Sequence, residues 1–103
     1  VNGNLTASGS SFVGNTAEGG AALYNETGTS TLTDTVLAQN VADLSGGGIY
    51  NDAIGDLTLD GTTTVAANTA QTNGGGIYNN GGTVTINPPA TVTGNTPDDC
   101  YGC

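Results

Sequence analysis

Short segments in which apolar and polar residues alternate recur along the whole chain, separated by Gly and Asn. Thr31–Thr33 and Thr83–Ile86 are two such segments, rich in Thr, Val, Leu and Ile. An alternation with a period of two predicts β-strands with one buried face, and the Gly and Asn between them predict turns. Because no stretch of the chain has apolar residues at helical spacing, we predict an all-β fold.

Three series of similar residues repeat with nearly the same period. The first series has three copies, Gly20–Asn25, Gly46–Asn51 and Gly74–Asn79, which contain Tyr24, Tyr50 and Tyr78. The second has four copies, ending in Asn15, Asn40, Asn68 and Asn95. The third comprises Leu5-Thr6, Leu32-Thr33, Leu57-Thr58 and Val84-Thr85. In every series neighbouring copies lie roughly 25–28 residues apart, and three series that drift together indicate one structural repeat.

A period of this length with three short strands per repeat is typical of a right-handed parallel β-helix. We therefore predict a β-solenoid of about four rungs over residues 1–96, a rung being one turn of the coil, followed by a tail, residues 97–103. Rungs stack about 4.8 Å apart, so equivalent residues lie above one another in columns. The predicted inward apolar columns are Leu5/Leu32/Leu57/Val84, Leu23/Ile49/Ile77 and Phe12/Leu37/Val65/Val92.

The repeated polar residues predict further columns. Asn tolerates left-handed backbone at a corner, and its amide can bond to the Asn above and below. Two Asn ladders are therefore expected, Asn15/Asn40/Asn68/Asn95 and Asn25/Asn51/Asn79. The glycines before each tyrosine suit a tight corner. The alternation places Tyr24, Tyr50 and Tyr78 on the outside as a stacked aromatic column, for which structural stacking is the favoured role and a carbohydrate-binding platform the alternative.

The composition narrows the classes of partner. The chain has no Lys, Arg or His, and nine Asp and Glu give it a formal charge of −9. Without cations it cannot neutralise phosphates, so we expect no nucleic-acid binding and no attraction to anionic membrane surfaces. No apolar run approaches the roughly 20 residues of a membrane-spanning helix, so no membrane insertion is expected. The acidity instead favours solubility and self-repulsion.

Two segments resemble the repeats of a known group of proteins. Phe12–Asn15 and Gly46–Ile49 are similar to the FxxN and GGxI repeats of polymorphic outer-membrane proteins and related bacterial surface proteins, which share the pectin-lyase-like fold. The resemblance covers nearly the whole chain, although Leu37, Val65 and Val92 replace the Phe in later repeats. It implies that fold and a secreted or cell-surface location. It does not single out a function, because the same fold carries adhesins, lyases and scaffolds.

The tail and the two ends of the repeat each allow a further prediction. Cys100 and Cys103 predict a local disulfide and an oxidising, extracellular compartment. Pro97 cannot donate a strand hydrogen bond and is expected to mark the end of regular pairing. No capping helix is predicted at either end. Two hypotheses follow: the chain is the C-terminal piece of a longer solenoid, or its open ends are filled by other copies in a head-to-tail filament.

Catalytic chemistry is poorly represented. A chain without His cannot build a Ser-His or Cys-His nucleophile, and without Lys or Arg it lacks the base that pectate lyases use. Asp34 and Asp60 are the only carboxylates that the repeat places close together, and a solvated surface role is favoured for them over a glycosidase pair or a calcium site. We predict that the protein is not an enzyme and has no cofactor and no metal site.

Two surface features leave alternatives open. Thr6, Thr33, Thr58 and Thr85 are expected to form an outward row, with Thr31, Thr35 and Thr83 beside it. Such rows resemble ice-binding surfaces, although outward Thr is usually just a good strand residue. Asn4 and Asn25 begin N-glycosylation sequons.

Taken together, the sequence predicts an extracellular structural protein, a solenoid module that self-associates through its terminal rungs in a filament, sheath or larger surface protein. The alternative is an adhesin or carbohydrate-binding module. Ice binding and a non-catalytic remnant of a polysaccharide-acting enzyme are less favoured.

Overall fold

The protein is an all-β solenoid of about four turns. The computed structural model describes all 103 residues, which form 15 strands and no helix. The first rung contains β1 (Asn4–Ser8), β2 (Ser11–Val13), β3 (Thr16–Ala17) and β4 (Leu23–Asn25). The second contains β5 (Thr29–Thr33), β6 (Val36–Ala38), β7 (Val41–Ala42) and β8 (Ile49–Asn51). The third contains β9 (Asp56–Asp60), β10 (Thr64–Ala66), β11 (Thr69–Ala70) and β12 (Ile77–Asn79). The fourth contains β13 (Thr83–Ile86), β14 (Thr91–Thr93) and β15 (Cys100–Tyr101). The predicted fold class is confirmed.

All strand pairs are parallel and join equivalent strands of successive rungs. The first face of the solenoid consists of β1, β5, β9 and β13, and the second of β2, β6, β10 and β14. The third face consists of β3, β7 and β11, and the fourth of β4, β8, β12 and β15. The solenoid thus has four faces, and the prediction of three strands per turn was wrong. The strands of the third face have only two residues each, too few to form a recognisable alternation.

A narrow apolar core runs along the inside of the rungs. Ten buried residues form it, among them Leu37, Val65, Ile49 and Ile77, all fully buried. On the second face Phe12, Leu37, Val65 and Val92 lie in one column. On the fourth face Leu23, Ile49 and Ile77 lie in another, as the sequence predicts. Burial of these aliphatic side chains is the main apolar contribution to stability.

The register of the first face differs from the predicted one in the second rung. Leu32 pairs with Ala7 and Leu59, not with Leu5 and Leu57 as predicted. The residue that lies between Leu5 and Leu57 is the buried Ser30. The outward threonine column is therefore Thr6, Thr31, Thr58 and Thr85. A shift of two residues keeps every side chain on its own side of the strand, so the alternation alone could not exclude it.

One column of hydroxyl side chains lies inside the solenoid, where the sequence suggested a surface position. Thr35 and Thr63 are fully buried. The Thr35 amide donates to the Thr63 hydroxyl, and the Ser10 amide donates to the Thr35 hydroxyl. Thr35 therefore does not belong to the outward threonine row.

The left-handed backbone positions lie beside the asparagines of the first ladder, not at them. Positive φ occurs at Gly14, Gln39, Ala67 and Gly94, each one residue before a ladder Asn. The asparagines themselves do not have positive φ. Their role in the ladder is therefore side-chain hydrogen bonding, and not the ability of Asn to adopt left-handed backbone. Before each tyrosine the corner does require glycine, since Gly20, Gly46 and Gly74 have φ values of 59°, 71° and 66°.

The tail, residues 97–103, completes the fourth rung. Strand β15 pairs with β12 so that Cys100 lies beside Ile77 and Tyr101 beside Tyr78. Thr96 forms a bridge with Thr69 just before Pro97. The expectation that pairing ends at Pro97 was therefore wrong, because pairing resumes at Cys100. The predicted disulfide between Cys100 and Cys103 is present. The structure contains no helix, and therefore none that could span a membrane.

Candidate functional site

The first Asn ladder is a chain of side-chain amides that all donate in one direction. The Nδ2 of Asn15 donates to the Oδ1 of Asn40 at 2.9 Å, and Asn40 donates to Asn68 in the same way at 2.9 Å. Asn68 donates to Asn95 at 3.0 Å. Each Oδ1 also accepts the backbone N–H of the preceding Asn. Amides aligned in this way polarise one another, so the ladder has a distinct donor end, at Asn95.

The second Asn ladder has the same direction. Asn25 donates to Asn51 at 2.8 Å, and Asn51 donates to Asn79 at 2.9 Å. The Asn25 Oδ1 accepts the hydroxyl of the buried Ser30 at 3.0 Å, which explains the polar residue among inward leucines. Because Asn25 is fully buried and its Nδ2 is used in these hydrogen bonds, it is excluded as a glycan acceptor in the folded chain. Asn4 is exposed, and glycosylation there stays a prediction.

The tail ends both ladders with acceptors. The Asp99 Oδ1 accepts the Asn95 backbone N–H at 2.9 Å and its Nδ2 at 3.1 Å. The Gly102 carbonyl accepts the Nδ2 of Asn79 at 3.0 Å. A carboxylate at the donor end of aligned amides makes a charge-assisted hydrogen bond, which is worth about 1.5–3 kcal/mol. The tail is thus a cap on the donor ends, which the sequence analysis did not anticipate.

Asp98 holds the tail at a neighbouring corner. Its Oδ1 accepts the backbone N–H groups of Gly74, at 2.6 Å, and Gly75, at 3.2 Å. The disulfide between Cys100 and Cys103 then closes a loop around Tyr101. Strand pairing and the hydrogen bonds to Asp98 thus hold the tail against the third rung, and the disulfide closes a loop within the tail.

The aromatic column has four members rather than three. Tyr24 and Tyr50 stack with ring centroids 4.6 Å apart and planes within 4°. Tyr50 and Tyr78 are 4.9 Å apart and tilted by 32°, and Tyr78 and Tyr101 are 5.3 Å apart and nearly parallel. The rings therefore cover one another's faces. Only the outer faces of Tyr24 and Tyr101, which are 40% and 46% exposed, are open.

A shallow groove of about 450 Å³ runs beside the column. Its lining consists of Glu18, Gly19, Tyr24, Leu44, Ser45, Tyr50 and Tyr78. The groove combines one carboxylate and one serine hydroxyl with apolar surface and three tyrosines, a mixture typical of small-ligand sites.

The Asp52 carboxylate lies beside the hydroxyl of Tyr24. The Tyr24 hydroxyl donates to the Asp52 carboxylate at 3.4 Å, and Asn80 donates to the same carboxylate at 2.9 Å. The hydrogen bond from Asn80 lowers the pKa of Asp52 below its ordinary 3.8. Burial, and after it the negative charge of Asp52, raises the pKa of both Tyr24 and Tyr50 above 10.0. At neutral pH this cluster thus carries an ionised carboxylate and neutral phenols.

The first rung presents strand edges with no partner on one side. On the second face the Ser10 carbonyl accepts from Val36 and the Gly14 N–H donates to Ala38, so both point toward the second rung. In a parallel strand these directions alternate, so the backbone groups of Ser11 and Val13 point to the open edge. Asn15, at the head of the first ladder, donates to Asn40, but its Oδ1 receives no hydrogen bond from the chain.

The remaining predicted surface residues do not come together as a reactive site. Asp34 accepts from the amide and hydroxyl of Thr62, whereas Asp60 accepts from Asn87. Strand pairing places Asp60 beside Thr33, so the two carboxylates belong to different columns. The outward threonine column is unbroken, but Asp56 and Asp60 flank Thr58 on the same strand.

Three residues of the candidate site escaped the sequence analysis. Tyr101 follows Tyr78 after a shorter interval than those between the other tyrosines of the column, so it fell outside the period. Asp99 was not assigned to a ladder, and Ser30 was not aligned with the inward leucines. A search for a tyrosine after a shortened corner would have found Tyr101.

No protein-family model, no curated protein and no solved structure matches the chain.

Proposed function

We propose that the protein is an extracellular structural module, a β-solenoid whose terminal rungs stack on those of other copies in a filament, sheath or larger surface assembly. The observation that carries this proposal is the pair of matching strand edges. The first rung leaves β1 to β4 without a partner on one side, and the fourth rung leaves β13, β14 and β15 likewise. Exposed edges of this kind pair readily with another strand.

The side chains at the two ends support stacking in register. A second copy placed one rung beyond the fourth rung would put its Leu5 beside Val84 and its Phe12 beside Val92, pairs that are already partly buried neighbours of the core. Its Tyr24 would meet the open ring face of Tyr101. The aliphatic columns of the first two faces and the tyrosine column would then continue with the residue types that they already contain.

Support for an extracellular location comes from other features. A disulfide is stable in oxidising compartments. Bacterial surface proteins with GGxI and FxxN repeats resemble this chain, and we infer a pectin-lyase-like kinship from those motifs. A surface that has nine acidic residues and no Lys or Arg remains soluble while unassembled.

Sedimentation velocity over a concentration series tests the stacking. We expect the protein to form oligomers that grow with concentration, seen as short filaments by electron microscopy. The variant Val13→Pro removes one edge N–H without removing an internal hydrogen bond, and proline is tolerated at sheet edges, so it should sediment as a monomer. Val13→Ala keeps the N–H and should behave like the parent chain. A parent chain that stays monomeric at the highest concentration reached contradicts the proposal.

Carbohydrate binding is a second candidate, favoured by the groove and the open ring face of Tyr24. A sugar ring stacks on an aromatic face, and Tyr50 has both faces covered, so Tyr24 is the residue to test. Tyr24→Ala should abolish binding on a glycan array, whereas Tyr101→Ala, at the far end of the column, should retain it. If the parent chain binds no glycan, this candidate is rejected.

A further inference from the structure

We propose that Asp99 is a built-in terminator of axial stacking, which weakens the association of the C-terminal edge with the N-terminal edge of a second copy. This inference rests on the proposed function and specifies which edge limits it. The partner is a second copy of this chain because the columns at the two edges contain the same residue types.

The terminator acts through the direction of the first Asn ladder. Within the chain the Nδ2 groups of Asn15, Asn40 and Asn68 each donate to the Oδ1 of the Asn on the next rung, ending at Asn95. A carboxamide can therefore continue the ladder, since its oxygen accepts a hydrogen bond from one rung and its NH2 group donates one to the next. An ionised carboxylate has acceptors only. Asp99 receives the hydrogen bonds of Asn95 and has nothing to donate onward.

The mismatch becomes apparent when a second copy approaches. The group at the head of its ladder is the Asn15 Oδ1, an acceptor that still lacks a donor. The exposed carboxylate of Asp99 would face this oxygen, so two acceptors would meet without a proton between them. Because neither group can donate, each loses its hydrogen bonds to water and gains none in return. The meeting of these two acceptors therefore lowers the free energy gained when the strand edges of two copies pair.

Asp98 offers a matched comparison on the same tail. It carries the same charge and also accepts two backbone N–H groups, those of Gly74 and Gly75, but it lies at the glycine corner and not on a ladder. Neutralising Asp98 therefore reports the effect of charge alone. Neutralising Asp99 with a carboxamide reports charge together with a new donor.

The experiment compares association constants of the parent chain, Asp99→Asn and Asp98→Asn by sedimentation equilibrium, with circular dichroism to show that each remains folded. We expect Asp99→Asn to associate at least tenfold more tightly than the other two chains, because the new carboxamide can donate to Asn15 of the next copy. Adding Val13→Pro to Asp99→Asn should reverse the gain.

The outcomes separate this inference from the proposed function. Equal gains for Asp99→Asn and Asp98→Asn would mean that only charge repulsion matters, and the terminator would be rejected. A parent chain that stacks as tightly as Asp99→Asn would reject the terminator while supporting the stacking module. If Asp99→Asn alone associates, the terminator stands and unaided stacking of the parent chain is rejected. If no chain associates, both are rejected.

Discussion

Asn68→Ala should lower the free energy of unfolding by about 3–4 kcal/mol, a large part of the roughly 5–15 kcal/mol that stabilises an ordinary domain. The Asn68 side chain takes part in four hydrogen bonds: its Oδ1 accepts from the backbone and side chain of Asn40, and its Nδ2 donates to Leu37 and Asn95. The site is 1% exposed, so the groups left behind are buried without partners. Urea unfolding followed by circular dichroism measures the loss.

The matched control is Asn15→Ala, at the exposed head of the same ladder. It removes one side-chain hydrogen bond, and the Asn40 Oδ1 still accepts the backbone N–H of residue 15. We expect a loss of about 1 kcal/mol or less. Equal losses at the two positions would mean that the ladder does not contribute through buried hydrogen bonding.

Gly47→Ala should destabilise the protein by about 3 kcal/mol, in the upper part of the range for overpacking, because the added atom would meet backbone rather than a movable side chain. A Cβ at Gly47 would lie 2.5 Å from the Thr69 carbonyl oxygen and closer still to that of Gly75. The third rung would have to move away to admit it. Thermal unfolding, followed by near-ultraviolet circular dichroism of the tyrosines, should have a lower midpoint temperature than that of the parent chain.

Gly3→Ala provides the comparison for that substitution. An added Cβ there has no atom within 4 Å, and Gly3 does not have a positive φ. Its unfolded chain loses some freedom, so the variant should be unchanged or up to about 1 kcal/mol more stable. A Gly47→Ala protein as stable as Gly3→Ala would show that the corners between rungs are loosely packed.

The solenoid was predictable where one residue type occupies a whole column. The sequence predicts that Asn40 aligns with Asn68 and Ile49 with Ile77, because each rung repeats the same residue at the same period. The strand β5 was misaligned because Thr31 and Thr33 are equivalent under a two-residue shift. The true register places Ser30 where its hydroxyl donates to Asn25, a contact that the alternation does not reveal.

The candidate site was less predictable, since it depends on where the columns end. The members of a column can be recognised in the sequence because they are the same residue type. The group that caps the column is a different residue type, so the repeat does not reveal it. Asp99 and Gly102 are such groups, and neither resembles the Asn that it caps. Tyr101 belongs to its column, but the shortened corner before it breaks the period.

Pairing only between neighbouring turns gives the molecule an uncommon response to mechanical load. Each turn is held to the next by backbone hydrogen bonds, and no strand pair joins turns that are not adjacent. Tension applied between the two chain ends would therefore detach one turn at a time from an end while the others stay wound. Each detached turn would release about 90 Å of chain, the extended length of one sequence repeat. Such a coil dissipates work in small repeated steps and rewinds against an intact template.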